Sequence, residues 1–538
     1  MGTEQVNVAA IIKNLSNDAE FLLVKQDPPP KFNDPDYDSY QDSDLWDLPS
    51  VQLKFILAKQ SRRVQIEVVE SSRNLGLWNQ FDFDSALDQI LGQVAFEKPN
   101  EVKWKFLKLV EEPEFGPGIS VKTVYLAGEL ELHDGKFKAG LCKWMSTESC
   151  VAKLQEVSPN NERIGPLVVL GSDGILNQSI QSSKLNIPPI LKSQEYPPGV
   201  KLIPMASRTA KPFRTTNLIV FFPETSSDGS RGDNFIACGE ALIVDPGCKS
   251  ALYQELEQIV AALPRKLVVF VTHHHSDHVD GLTIIQKCNP DATLLAHENT
   301  FRRIRKDDWS LGYVPVLGSE EICIGGQCLR LISAPGHTDG HMALLHVSTN
   351  SLIVGDHCVG QGSAILDAAS GGNMSEYFQT SYNLIELSPH ALIPMHGRVN
   401  MWPKHMLCGY LKNRRNREST ILKAINDGAR TLFDIVSFTY ADVDRSLWFH
   451  AASNVRLHVE HLAQQNKLPK EFSMQRFQSS CGLKFVSRWM GSYLCNALIV
   501  KIRQQRTSKV VGVGVVVIAI AAAMYSGRDT LLWVVCYA

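Results

Sequence analysis

The stretch VTHHHSDHVDGL, from Val271 to Leu282, sets four histidines and one aspartate in six consecutive positions, directly after the apolar run KLVVF. Side chains alternate sides along an extended chain, so His273 and His275 leave the strand facing the same way. Asp277 and His278 follow as the chain turns into VDGLTIIQK. One strand-to-helix loop can thus offer His273 and His275 to one cation, and Asp277 and His278 to another. Imidazole and carboxylate form a mixed nitrogen and oxygen donor set that suits zinc, with iron or manganese as acceptable substitutes. His274, between the donors, is expected to point away.

Two donors do not close a coordination sphere, so others must arrive at strand ends from elsewhere. LRLISAPGHT delivers His337 after a Pro-Gly turn, SLIVGDH delivers Asp356 after Gly355, and ALIPMHG delivers His396 before Gly397. A histidine cluster in one loop would read as solvated surface. Four separated segments with the same strand-then-donor layout read instead as one built site. His297, His341, His346, His357, His390 and His405 lack that context and read as ordinary core or surface residues, with His341 a candidate to support a ligand from behind.

The elements that must position these donors lie within a chain of 538 residues, too long for one core at roughly 100 to 200 residues per domain. Residues 1–156 alternate strand-like runs with loops rich in Pro and Asp and are expected to form an α+β domain. Residues 157–212 gather Pro, Ser, Asn and Gly as a linker carrying at most a strand or two, with the main break near Pro204. Short apolar strands separated by helices fill 213–398, an α/β pattern. Residues 399–475 turn helical and basic, and 476–538 form a tail.

A formal net charge of −2 excludes a global field for nucleic acid or anionic lipid, so polyanion binding needs a local patch. LKNRRNREST supplies one, with Lys412, Arg414, Arg415 and Arg417. Arg414 and Arg415 are the candidate substrate contacts. The alternative is a solvated helix face, on a small domain that packs on the core or makes a homodimer. Twelve singly spaced cysteines argue against a disulfide scaffold and for a reducing compartment. The N-terminal MGTEQVNVAA does not read as a transit peptide. Val510 to Tyr525 is free of charge and flanked by Arg503, Arg506, Lys509 and Arg528. It is expected to act as a membrane anchor, although shorter than the ~20 residues of a spanning helix, and would hold a cytosol-facing protein on an organelle outer membrane.

HHHSDH, PGHT, GDH and PMHG, in that order, resemble the successive motifs of the metallo-beta-lactamase superfamily over roughly 213–398. The resemblance implies a four-layer αββα sandwich with two metal ions at one edge of the paired sheets. By it, His273, His275 and His337 would hold the first ion and Asp277, His278 and His396 the second, with Asp356 bridging. Two cations sharing a water would bring its pKa from about 15.7 toward neutrality and supply hydroxide. Asp277 is then the candidate to orient that nucleophile and carry a proton to the leaving group.

The helical segment after Arg398 is similar to the winged-helix domain of the mitochondrial beta-lactamase-like endoribonucleases. That similarity implies a phosphodiester in single-stranded RNA as substrate. Glyoxalase II-like relatives would imply a small thioester or lactone instead. A scaffold with structural metal fits less well, since structural zinc is closed by four protein ligands, often cysteines. Near the N-terminus, EFLLVKQ and LWDLPS resemble the opening strands of Nudix domains. Gln89, Gly92 and Gln93 stand where that family's catalytic helix carries glutamates, so a Nudix-like domain without Nudix catalysis is expected.

Overall fold

In the computed structural model, which describes residues 5–15, 17–56, 66–67, 78–95, 102–118, 120–130, 138, 140–156, 162–165, 185, 187–222 and 235–492, the apolar runs that precede the donors are strands of two sheets. The first has seven strands in the order Gln194–Glu195, Val200–Ala206, Thr215–Phe221, Ala241–Val244, Leu267–Phe270, Thr293–Ala296 and Tyr313–Pro315. It is antiparallel up to Ala241–Val244 and parallel beyond. The second has six strands, in the order Ala237–Gly239, Glu321–Ile324, Gln327–Ser333, Met342–His346, Ser351–Gly355 and Ala391–Pro394.

Strand alternation sorts the side chains into layers. Leu242, Val244, Val268 and Phe270 of the first sheet meet Leu329, Leu331, Met342 and Leu344 of the second in a core between the sheets. Their neighbours Ala241, Ile243, Leu267 and Val269 face outward, onto Leu256 and Ile259 of helix Tyr253–Ala261 and onto Ile285 of helix Leu282–Cys288. Beyond the second sheet, Leu345, Leu352 and Leu392 pack on helix Met374–Leu387 and on Leu407 and Leu411 of helix Pro403–Asn426. The layers are therefore helix, sheet, sheet, helix, the αββα sandwich that the motifs imply.

The N-terminal residues build a separate nine-stranded sheet around Gln5–Asn14, which pairs in parallel with Val121–Leu130. Helix Phe83–Val94, capped by Asp82, covers one face with Ala86, Leu87, Ile90 and Val94. On this helix Gln93 donates to the Ser50 carbonyl, and Gln89 donates back to Ser85. The other face of the sheet buries Ile11, Phe21 and Tyr125 with Ala391 and Met401 of the sandwich. Arg163 fastens the seam, donating to the His390 and Met401 carbonyls.

The domain limits differ from the sequence expectation at two places. The sandwich starts at Gln194, inside the expected linker, and Pro204 lies mid-strand opposite Asn217. Val200, Leu202, Ile203 and Met205 are buried there, and the local Pro and Gly content masked that apolar run. No break falls at 399 either. One compact unit contains residues up to Lys423 together with Ser453–Leu468, and a second takes Ala424–Ala452 with the residues from Pro469. The described part of the second unit is helical, with Thr431 and Asp434 forming a capping box on Leu432–Thr439 and Arg488 paired to Asp434 at 2.9 Å. Among the described residues no helix is long and apolar enough to cross a membrane, and Val510 to Tyr525 lies outside them.

Candidate metal centre

Two close approaches bring the strand ends together. The turn after strand Ala241–Val244 passes the backbone of Asp277 so tightly that a Cβ on Gly247 would sit 1.6 Å from the Asp277 carbonyl oxygen. Gly355, at φ +57°, precedes Asp356, and a Cβ there would lie 2.4 Å from His341 Nε2. Glycine at 247 lets two loops of the first sheet pass, and at 355 it leaves room both for His341 and for Thr272 of the first sheet, whose Cβ would lie 3.3 Å away.

Strand Leu267–Phe270 leads into His273 and His275, and His337 arrives from beyond strand Gln327–Ser333. His273 Nε2 lies 2.9 Å from His275 Nδ1, and His337 Nε2 lies 3.2 Å from each of them. The rings stand nearly perpendicular, at 84°, 88° and 90°. Three nitrogens thus point at one spot. Burial, then the neighbouring histidines, hold His273 and His337 well below the ordinary histidine value, and burial also lowers His275. These are neutral imidazoles with lone pairs to offer.

The adjoining group mixes charge. His396 Nε2 lies 3.4 Å from Asp277 Oδ2 and 3.4 Å from Asp356 Oδ1, while His278 Nε2 lies 3.5 Å from Asp356 Oδ2 and 3.8 Å from Asp277 Oδ1. Asp356 Oδ2 also stands 3.9 Å from His337 Nε2, so this one carboxylate faces both groups. Burial opposes charge on His396, but Asp356 and Asp277 overcome it and push its pKa up to about 10. Against the same burial cost, Asp356, Asp277 and Asp245 raise His278 well above its usual value. The paired carboxyls stay well below theirs, held by His278 and His396.

The structure therefore brings together His273, His275, Asp277, His278, His337, Asp356 and His396, the seven donors expected from the motifs. His274 contributes no atom to any of the compact donor sets. His341 supports Asp356 from behind: its Nδ1–H donates to the Ala334 carbonyl at 3.0 Å and its Nε2 accepts the Asp356 amide at 3.0 Å.

Sequence reasoning missed Asp245. Held at φ +48°, it accepts from the Thr272 amide at 2.7 Å and the Thr272 hydroxyl at 2.6 Å, and from His278 Nδ1 at 2.8 Å. Its signal was present, an aspartate ending the strand ALIV before Pro-Gly.

The expectation for Arg414 needs correction. It is buried, donates to Asn454 Oδ1 and to the Ala364 carbonyl, and lies over the Tyr377 ring, so it has no surface to offer a phosphate. Arg415 is half-exposed, 3.1 Å from Glu418 and stacked 4.0 Å above the Phe378 ring. The helix Trp448–Gln464 is buried on more than the face of Ala452, Val455, Val459 and Leu462, since Asn454, Leu457 and His458 are buried too. Ser453 of the same helix donates toward Asp367.

With this geometry, comparison with known proteins is informative. Residues 235–396 match the metallo-beta-lactamase superfamily, and 431–473 match the beta-lactamase associated winged helix domain. The chain is similar to beta-lactamase-like protein 2 homologs of Drosophila melanogaster (27% identity, covering 37% of this chain and 69% of the relative) and Caenorhabditis elegans (26%, covering 36% and 64%). A beta-lactamase domain protein from Burkholderia ambifaria, of known structure, aligns with 19% identity and a TM-score of 0.44, over 53% of this chain and 92% of that one.

Proposed function

Since the chain carries a metallo-beta-lactamase superfamily domain, from a family of metal-dependent hydrolases, and a beta-lactamase associated winged helix domain, we propose that it cleaves phosphodiester bonds of single-stranded RNA at a centre of two Zn2+ ions. The observation that carries the dinuclear reading is Asp356, whose two oxygens face the three-histidine group and the mixed group at 3.4 to 3.9 Å. The donors fit such ions. Zinc–nitrogen bonds of about 2.0–2.1 Å in tetrahedral array set ligand atoms roughly 3.3 Å apart. The three histidine nitrogens stand at 2.9 to 3.2 Å. His278 Nε2 is buried with no partner nearer than the carboxylates of Asp356 and Asp277 at 3.5 and 3.8 Å, as befits an atom kept for a cation.

His273, His275 and His337 would hold one ion, Asp277, His278 and His396 the other, and Asp356 both. When bound, the ions supply a water of lowered pKa and compensate charge on the reacting oxygen. The protein's share is orientation and proton handling. Asp245 fixes the Nδ1–H tautomer of His278 and leaves its Nε2 facing the carboxylates. Asp277, with a side chain 12% exposed, sits where a substrate can reach it and carries the proton to the leaving oxygen.

A second reading is favoured by Arg414: with its guanidinium committed inside the fold, fewer cations remain for phosphate, and a small thioester or lactone would suit the centre. The test is cleavage of labelled single-stranded RNA, and of a thioester in parallel, by the protein and by the Asp277→Ala, His278→Ala double variant, with zinc quantified in each. RNA cleavage by the wild type that is lost in the variant supports the nuclease. Intact RNA with two zinc ions bound, and turnover of the thioester, would move the assignment to the second reading.

A further inference from the structure

The two histidines that leave strand Leu267–Phe270 present different nitrogens to their common focus, and each tautomer has its own holder. His273 offers Nε2, so its proton sits on Nδ1, 3.0 Å from the Thr272 hydroxyl, which in turn donates to Asp245 at 2.6 Å. His275 offers Nδ1, so its proton sits on Nε2, 3.2 Å from the Ser370 hydroxyl. Ser370 Oγ–H donates onward to Asp367 Oδ2 at 3.1 Å. A serine hydroxyl has one proton to give and lone pairs to accept with, so this chain runs in one direction only.

Asp367 does not stand alone. It caps the short turn Ala368–Ser370 through the Ala369 amide at 3.1 Å, and its Oδ1 lies 3.4 Å from the Ser453 hydroxyl, which also accepts from the Ala368 amide at 3.3 Å. Ser453 belongs to helix Trp448–Gln464, within the part of it that packs in the same compact unit as the sandwich.

We infer that Ser370, oriented by Asp367 and Ser453, is a positioning residue that fixes the Nε2–H tautomer of His275 and directs its Nδ1 into the three-histidine group. The appended helix thereby bears on how tightly one of the two ions is held. This rests on the dinuclear reading. Outer partners of metal-ligating histidines typically contribute about 10- to 100-fold to affinity.

The test uses full-length protein, metal-stripped and then titrated with Zn2+ against a chromophoric chelator, and with Co2+ followed by its visible spectrum. Ser370→Ala is expected to weaken one ion by about 10- to 100-fold while the other keeps wild-type affinity. Ser370→Thr, which keeps the hydroxyl, should restore it, and Ser453→Ala should produce a smaller loss in the same ion. Thermal melts of the metal-free variants check that the fold is intact. Wild-type affinity for both ions in Ser370→Ala, or equal weakening of both, overturns the inference. Failure of the wild type to bind two ions overturns the dinuclear reading, and this inference with it.

Discussion

Imidazoles meet carboxylates in two buried places, the sheet edge and the contact between helices Pro403–Asn426 and Trp448–Gln464. At the sheet edge, three nitrogens from two loops, His273 and His275 on one and His337 on the other, stand 2.9 to 3.2 Å apart with rings nearly perpendicular. Between the helices, Glu418 Oε1 lies 2.5 Å from His461 Nδ1 and 3.6 Å from His458 Nδ1, while its other oxygen pairs with Arg415 at 3.1 Å. The first arrangement has donors converging on a point. The second has one carboxylate shared among partners that surround it. Among the described residues, the donor sets compact enough for a single ion all draw on strand-end residues. Residue type is thus the same in both places, and convergence is what separates a metal centre from an internal brace.

The comparison breaks most visibly at Asp356. Asp356→Ala removes the carboxylate facing both groups, so hydrolysis should fall by at least about a thousandfold, as expected for one member of a unit whose parts act together. Zinc bound per chain should drop in the same sample. Full activity with two ions retained would deny Asp356 its shared position.

Glu418→Ala should act in the opposite sense. It leaves the buried His461 Nδ1 without its partner, and a buried polar group left unpaired costs about 1–3 kcal/mol. Urea denaturation should show that loss, while two zinc ions remain bound to the folded protein. Loss of zinc without loss of stability would make the helix cluster a metal site after all.

Acid distinguishes the clusters further. Burial lowers His458 to a pKa of about 4, well below its ordinary 6.5. Below pH 6.5 the unfolded chain takes up a proton that the native state refuses, so stability contributed by neutral His458 should decline from there to about pH 4, by about 3 kcal/mol in all. Denaturation midpoints across that range should lose part of their slope in His458→Leu. An unchanged slope would place the acid sensitivity elsewhere.

The two clusters were unequally legible in the sequence, for a physical reason. His337, Asp356 and His396 each end an apolar run beside a Gly or Pro, while His273, His275, Asp277 and His278 crowd a single loop after another such run, and these two patterns mark all seven. Asp245 ends a strand in the same manner but spends its oxygens on Thr272 and His278, and no spacing tells a holder from a donor. Ser370 and Asp367 lie in a loop with no periodic signal at all. Arg414 could have been placed, because Leu407, Leu411, Arg414, Glu418 and Ile421 recur at helical spacing and all five are buried. The density of arginine in LKNRRNREST drew attention to charge and away from that stripe.

Arg415 is the residue on which the two interpretations of that helix still differ, and the expected effect is the smallest. Its guanidinium is half-exposed, paired to Glu418 at one nitrogen and stacked on Phe378. A residue reading RNA phosphate would, on conversion to alanine, reduce the salt slope of RNA binding by about one and weaken binding uniformly across sequences. A brace would lower stability by no more than about 1 kcal/mol, as partly exposed pairs do, and leave the salt slope alone. The second outcome is expected for Arg415→Ala, because the Glu418 contact and the ring hold the charge against the protein. A reduced slope would show that the brace has an outer, RNA-facing side, and would return to the helix the phosphate contact that burial denies to Arg414.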